Sequence, residues 1–240
     1  MDNNFRARVV DANKALYDKG LVADKVLTWG NASAYDKKTG LVHIKPSGVP
    51  YDCLSVEKIV AVNFQGKFEG KHKPSVDTPT HIELYKAFPE ISGIVHTHSH
   101  YATVFAQVKM PIPCLGTTHA DYFRGNIPIS LELSEEEIEK NYEQSIGKRI
   151  AESLRTLKLN PLEIRAMLIP SHGIFTWGKT IEEALKCAVV AEEVARLAYH
   201  QILLERASGF DVNTPKEKLK SKHWKRMQGK RRYYGQEEKK

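Results

Sequence analysis

The chain has 240 residues, 41% hydrophobic and 27% charged, with 36 Lys+Arg against 29 Asp+Glu for a formal charge of +7. That length can bury a full-sized core, and the composition excludes disordered, collagen-like and coiled-coil classes. No apolar run reaches the ~20 residues of a membrane helix, and Met1–Arg6 lacks the charged-then-apolar pattern of a secretion signal.

In chain order, Phe5, Val9, Ala12 and Leu16 recur at helical spacing, with Gly20 as a stop. Extended segments follow at Val26–Ala34, Leu41–Lys45 and Ile59–Phe64, separated by turn-formers such as Lys38-Thr-Gly40 and Gln65-Gly66. Thr78-Pro79 starts a helix carrying Ile82, Leu84, Tyr85 and Phe88. Gly93–His98 reads as a buried strand, Ala102–Val108 as a short helix and Tyr142–Leu157 as a longer one. Ala166–Ile169 and Ile174–Trp177 read as extended. Thr180-Ile-Glu-Glu183 is a capping box that opens a helix to about Arg206. Strands and helices interleave without a boundary, which predicts one α/β domain over residues 1–240.

The last segment holds the charge. Lys216–Lys240 has 11 Lys+Arg and 3 Asp+Glu, a local +8 that leaves −1 for residues 1–215. Such a tail suits a solvated helix, an anion clamp or a nucleic-acid arm, but the body carries no nucleic-acid recognition motif. Cys53, Cys114 and Cys187 are scattered without metal spacing, so a reducing compartment, the cytoplasm, is expected.

Five of the ten histidines (His81, His96, His98, His100 and His119) fall within 39 residues. In Val95-His-Thr-His98 strand alternation puts His96 and His98 on one face, able to share an ion. His172, in Pro170-Ser-His-Gly173, is a third candidate ligand and Asp77 a carboxylate one. Three imidazoles, with or without a carboxylate, suit a catalytic zinc site with a position left for substrate. The competing reading of an H-x-H pair is two hydrogen-bonded rings. His43, His72, His200 and His223 read as surface or helix-face residues.

Three turns, Thr28–Ser33, Ile44–Val49 and Lys73–Asp77, combine Gly or Pro with Ser, Asn or Lys, the donors an anion needs. Most such turns are only turns. Asp121, between His119 and the pair Tyr122 and Phe123, reads either as a proton shuttle or as a turn-capping acid. Tyr233-Tyr-Gly-Gln236 places two aromatics in the charged tail, a sign of docking or of a solvated pair.

Taken together, the motifs resemble the class II aldolase family and, within it, the L-ribulose-5-phosphate 4-epimerases. The matching strings are Leu27-Thr-Trp-Gly-Asn31, Ile44-Lys-Pro-Ser-Gly-Val49, Asp77-Thr-Pro-Thr-His81 and Gly93-Ile-Val-His-Thr-His-Ser99. Gly116-Thr-Thr-His-Ala-Asp-Tyr-Phe123, Ser171-His-Gly173 with Trp177-Gly-Lys179, and Tyr233-Tyr-Gly-Gln236 complete them in family order. The Gly116–Phe123 and Tyr233–Gln236 strings are the more specific to the epimerases.

The resemblance implies a three-layer α/β/α sandwich around a central mixed, largely antiparallel sheet. It also implies a homotetramer with active sites between subunits, acting on a sugar phosphate and not on nucleic acid or membrane. Metal ligands would be Asp77, His96, His98 and His172, holding Zn²⁺, with Mn²⁺ or Co²⁺ as substitutes. Substrate would be bound by Gly30, Asn31, Lys45, Ser47, Gly48, Ser75 and Val76, with Thr117 and Glu143 nearby. Asp121 and Tyr234 would move protons, with Tyr234 and His223 reaching into a neighbour's site from the 216–240 segment. The implied activity is C4 epimerisation of L-ribulose 5-phosphate by retro-aldol cleavage and recondensation. Alternatives are an aldolase that releases its aldehyde and a non-catalytic, adducin-like binding module. Where the family usually reads Ser-Ser-Asp this chain has Ser75-Val76-Asp77, a hydroxyl lost at a cost of about 1 kcal/mol in phosphate binding.

Overall fold

A computed structural model describes residues 3–24 and 26–228. Among these the order is α1 (Asn3–Asp18), β1 (Asn31–Asp36), β2 (Leu41–Ile44), β3 (Val60–Val62), α2 (Thr78–Ala87), β4 (Gly93–Thr97) and α3 (His100–Gln107). There follow α4 (Thr117–Tyr122), α5 (Glu135–Thr156), β5 (Ala166–Ile169), β6 (Gly173–Gly178), α6 (Ile181–Ser208) and α7 (Glu217–Met227). The strands form one sheet in the order β3-β2-β1-β4-β6-β5, with antiparallel pairing throughout. A parallel bridge, Ile129 to Leu168, lies at its edge.

Alternation along the strands builds the three layers. From β4, Ile94 enters a core with Ile82, Leu84 and Tyr85 of α2 and Ile146, Ile150 and Leu154 of α5. Its neighbour Val95 enters the opposite core with Val9 and Leu16 of α1 and Ala184 and Ala188 of α6. β6 divides the same way, with Phe175 and Trp177 on the α2/α5 side and Ile174 against α3 and α6. Helices therefore cover both faces, as the resemblance implies.

Several elements differ from their sequence expectation. β1 begins at Asn31, not Val26, because Gly30 takes φ +70° and turns the chain before it can pair. α5 begins at Glu135 behind a full Ser134–Glu137 capping box, and non-helical Asn141 (φ −149°, ψ 54°) breaks it. At α6, Thr180 caps Glu183 N–H, but the Glu183 carboxylate accepts from Lys179 N–H, so the expected box is half made. His43 is buried on β2, stacked on Phe5, rather than at the surface. Asp121 stands on α4, a helix that short-range pattern did not disclose. The Glu217–Met227 part of the basic segment forms α7 and packs back on α4 of its own chain.

Candidate metal centre and active site

Buried β4 carries His96, and pairing with β6 brings His172 in from the turn that precedes Gly173. His96 Nε2 stands 3.1 Å from His98 Nε2 and 3.0 Å from His172 Nε2. Gly173 allows this approach: a Cβ there would meet Thr97 O at 2.6 Å and His98 Cδ2 at 3.3 Å. Across the sheet Gly30 has the matching constraint, since a Cβ would lie 2.7 Å from His96 O.

The ring nitrogens turned away from this centre have partners. His96 Nδ1 lies 3.0 Å from Ile174 O, which only accepts, so the proton is on Nδ1 and Nε2 is a bare lone pair. His172 Nδ1 meets the Tyr142 hydroxyl at 2.8 Å. Burial pulls His96 and His172 down to about 3 and lowers His98 as well, so the rings are neutral at neutral pH, as metal ligands must be. A hydrogen-bonded pair would satisfy His96 Nε2 from one side, whereas here two rings converge on that lone pair. Nitrogens held tetrahedrally ~2.0–2.1 Å from zinc stand roughly 3.3 Å apart. The donor set thus fits a divalent cation held by three imidazoles.

Asp77 is outside this three-histidine group. Its carboxylate accepts from Asn31 Nδ2 at 2.6 Å, while its charge opposes the lowering at His98 and His172. Of the four expected ligands, three imidazoles therefore cluster, and the Asp77 carboxylate stands beside them, restrained by Asn31.

The three polar turns do converge. Ser47 N donates to Lys73 O and Ser75 N to Lys45 O, each at 3.0 Å, and Asn31 Nδ2 reaches Ser75 Oγ at 3.1 Å. Tyr51 donates to Trp29 O and Gly30 O, pinning the first turn. Ser47 and Gly48 are exposed, with Gly48 at φ +66°, and Val76 is 64% exposed on the same rim. Lys45 is buried, its Nζ 3.3 Å from Thr28 O and over the Tyr51 ring. Burial pulls its ammonium down to about 8 against the opposing charge of Asp77.

The remaining expected residues are divided. Glu143 follows the α5 break, and its carbonyl accepts from Thr80 Oγ1. Thr117 opens α4, one turn from Asp121. His223 Nδ1 pairs with Asp121 Oδ1 at 2.9 Å within one chain, because α7 lies on α4. Within one chain, then, Asp121 and His223 stand side by side. Among the described residues no hydrogen bond or ion pair joins them to the three histidines. Tyr234 lies outside the described residues. Tyr142, which directly follows the non-helical Asn141, is a site residue that no sequence motif discloses.

A family model, the class II aldolase and adducin N-terminal domain, matches residues 7–199. The L-ribulose-5-phosphate 4-epimerase UlaF of Salmonella typhi is 46% identical over 233 residues, 97% of this chain and 98% of that one. The fold is similar to that of an L-fuculose 1-phosphate aldolase (TM-score 0.75, 20% identity, 94% of this chain and 96% of that one). It is also similar to the L-fuculose-1-phosphate aldolase of Thermus thermophilus (TM-score 0.68, 24% identity, 88% of this chain and 100% of that one). The chain belongs to the class II aldolase and adducin N-terminal domain family.

Proposed function

We propose that this chain is a metal-dependent L-ribulose-5-phosphate 4-epimerase that forms D-xylulose 5-phosphate by retro-aldol cleavage of the C3–C4 bond and recondensation. The observation that carries the reading is the convergence of His96, His98 and His172, in a chain 46% identical over nearly its whole length to epimerases. His96, His98 and His172, with Asp77 beside them, would hold Zn²⁺, which supplies Lewis-acid polarisation of the ketose oxygens when bound. Mn²⁺ and Co²⁺ are the substitutes to test.

The C4 hydrogen is not acidic, so inversion needs bond cleavage and two proton-handling groups, one for each face of the aldehyde. Asp121, held by His223, is one of them and Tyr234 the other. The phosphate end would rest on Gly30, Asn31, Ser47, Gly48, Ser75 and the Val76 backbone, with buried Lys45 supplying positive charge. This anchor keeps the aldehyde fragment bound while it rotates. Thr117 and Glu143 would flank the sugar. Because Asp121 and His223 bond one another and, among the described residues, no hydrogen bond or ion pair joins either to the triad, a neighbouring copy in a homotetramer would complete each site. Cytoplasmic pentose or ascorbate catabolism is the expected setting.

The test is to incubate metal-loaded protein with L-ribulose 5-phosphate and follow D-xylulose 5-phosphate and free aldehyde separately. Epimerised ketose without net aldehyde supports the reading. Stoichiometric aldehyde identifies an aldolase, and no turnover with any of the three metals refutes both activities. Asp121→Asn should keep metal and assembly but lose most turnover.

A further inference from the structure

The first turn of α3 is capped from a distant part of the chain. Ser99 holds the N-cap position, where serine ordinarily satisfies the first free N–H groups. Here its side chain makes no cap bond, and among the described residues its buried Oγ has no partner. The backbone N–H groups of Tyr101 and Ala102 donate instead to Glu192 Oε1 at 2.8 Å and Oε2 at 3.0 Å. Glu192 lies mid-way along α6, 91 and 90 residues from the groups it caps. Both carboxylate oxygens are engaged, and the negative charge faces the positive end of the helix dipole.

The location gives this cap its meaning. β4 ends at Thr97 and α3 begins at His100, so His98 sits in a two-residue connection. One end of that connection is fixed by the pairing of Thr97 with Ile174, and the other by Glu192. His96 and His172 each have a partner on Nδ1, whereas among the described residues His98 has none there. Apart from the other two imidazoles and the tilted Trp29 ring at 6.4 Å, what orients its ring is the backbone that carries it.

We infer that Glu192 is a positioning residue of the metal centre, holding His98 in register by clamping the start of α3. This rests on the reading of the three histidines as a metal site. α6 then has two duties: it covers one face of the sheet and sets the third ligand.

The test measures zinc affinity by competition with a chromophoric chelator, using the full chain, Glu192→Ala and Glu192→Gln. Loss of a group that orients a ligand typically lowers metal affinity by about 10–100-fold. Glu192→Ala should fall in that range. Glu192→Gln, whose single carbonyl oxygen can keep one of the two bonds, should lie between it and the parent. The Co²⁺-loaded visible spectrum should shift in both variants. Ser134→Ala, which removes a cap on α5, is the control and should lower Tm without changing zinc affinity.

If the parent chain binds no zinc, the metal reading itself fails and the inference with it. If the parent binds zinc and Glu192→Ala loses Tm but keeps full affinity and an unshifted spectrum, the positioning role is overturned and Glu192 is only a helix cap. Should Glu192→Ala not fold, unchanged affinity in Glu192→Gln has the same consequence.

Discussion

Acidification should unfold the metal-free protein with an unusually steep proton dependence. His81, His96 and His119 are buried, and His172 is partly so. Burial, the largest cause in each case, pulls His81, His96 and His172 down to about 3 and His119 to about 4. In the unfolded chain a histidine titrates near 6.5. A folded value below the unfolded one means that the unfolded state holds more protons in between, so stability is full above about pH 6.5 and is lost as pH falls toward the folded values. Each ring contributes up to about 1.4 kcal/mol per pH unit, and near pH 5 four rings together give about 5 kcal/mol per unit. A whole domain has only about 5–15 kcal/mol of stability, so one to two units of acidification should suffice.

The assay is urea unfolding followed by tryptophan fluorescence in chelator between pH 7.5 and 4.5, with proton uptake taken from the slope of the unfolding free energy. His119 offers an internal check, because among the described residues neither ring nitrogen has a partner at full hydrogen-bond geometry and only the Gly125 backbone opposes the effect of burial. His119→Leu should remove about a quarter of the slope and raise stability at pH 5. Uptake of fewer than two protons on unfolding at pH 5 would refute the reasoning.

Other expectations follow from the same geometry. Gly173→Ala puts a Cβ 2.6 Å from Thr97 O, against backbone that cannot yield cheaply. Overpacking of this kind costs about 1–3 kcal/mol, so urea midpoints should drop and bound zinc should fall below one per chain. Tyr142→Phe removes the hydroxyl 2.8 Å from His172 Nδ1 and should weaken zinc by about 10–100-fold in the same competition titration. Lys45→Met should leave zinc content intact while raising KM for L-ribulose 5-phosphate about ten- to a hundredfold, the worth of a hydrogen bond to a charged group. In the parent enzyme KM should also rise as pH passes about 8, where Lys45 loses its proton, and Lys45→Met should lack that limb.

What could be read in the sequence was what local pattern and motif determine. Strand alternation in Val95-His-Thr-His98 placed His96 and His98 on one face, and the Ser-His-Gly turn supplied His172. The polar turns were visible as three turns, but their convergence depends on pairing between residues 45–47 and 73–75, which no spacing rule reports. Tyr142 was hidden because a broken helix at Asn141 has no periodic signature. The pairing of His223 with Asp121 crosses 102 residues and depends on how α7 packs, so helical pattern alone could not disclose it. The burial of His43 has no local signal, since it comes from its alignment with Ala34 and Ala61 within the sheet and from the Phe5 ring of α1 stacked on it.

The position of β4 between β1 and β6 has a consequence for how the protein comes into being. β1 precedes β4, but β6 arrives only at Gly173–Gly178, and the register joins His96 to Phe175 and Ile94 to Trp177. A growing chain that has not yet delivered residue 178 leaves one edge of β4 unsatisfied, an apolar strand open to pairing with other chains. Non-local antiparallel closure of this kind is slow compared with helix formation. The third imidazole, the α3 clamp and the covering helix α6 all lie on the late side of that step. Capture of a cation by all three rings would therefore be a terminal event in biogenesis, since it requires β6 to have joined β4 already.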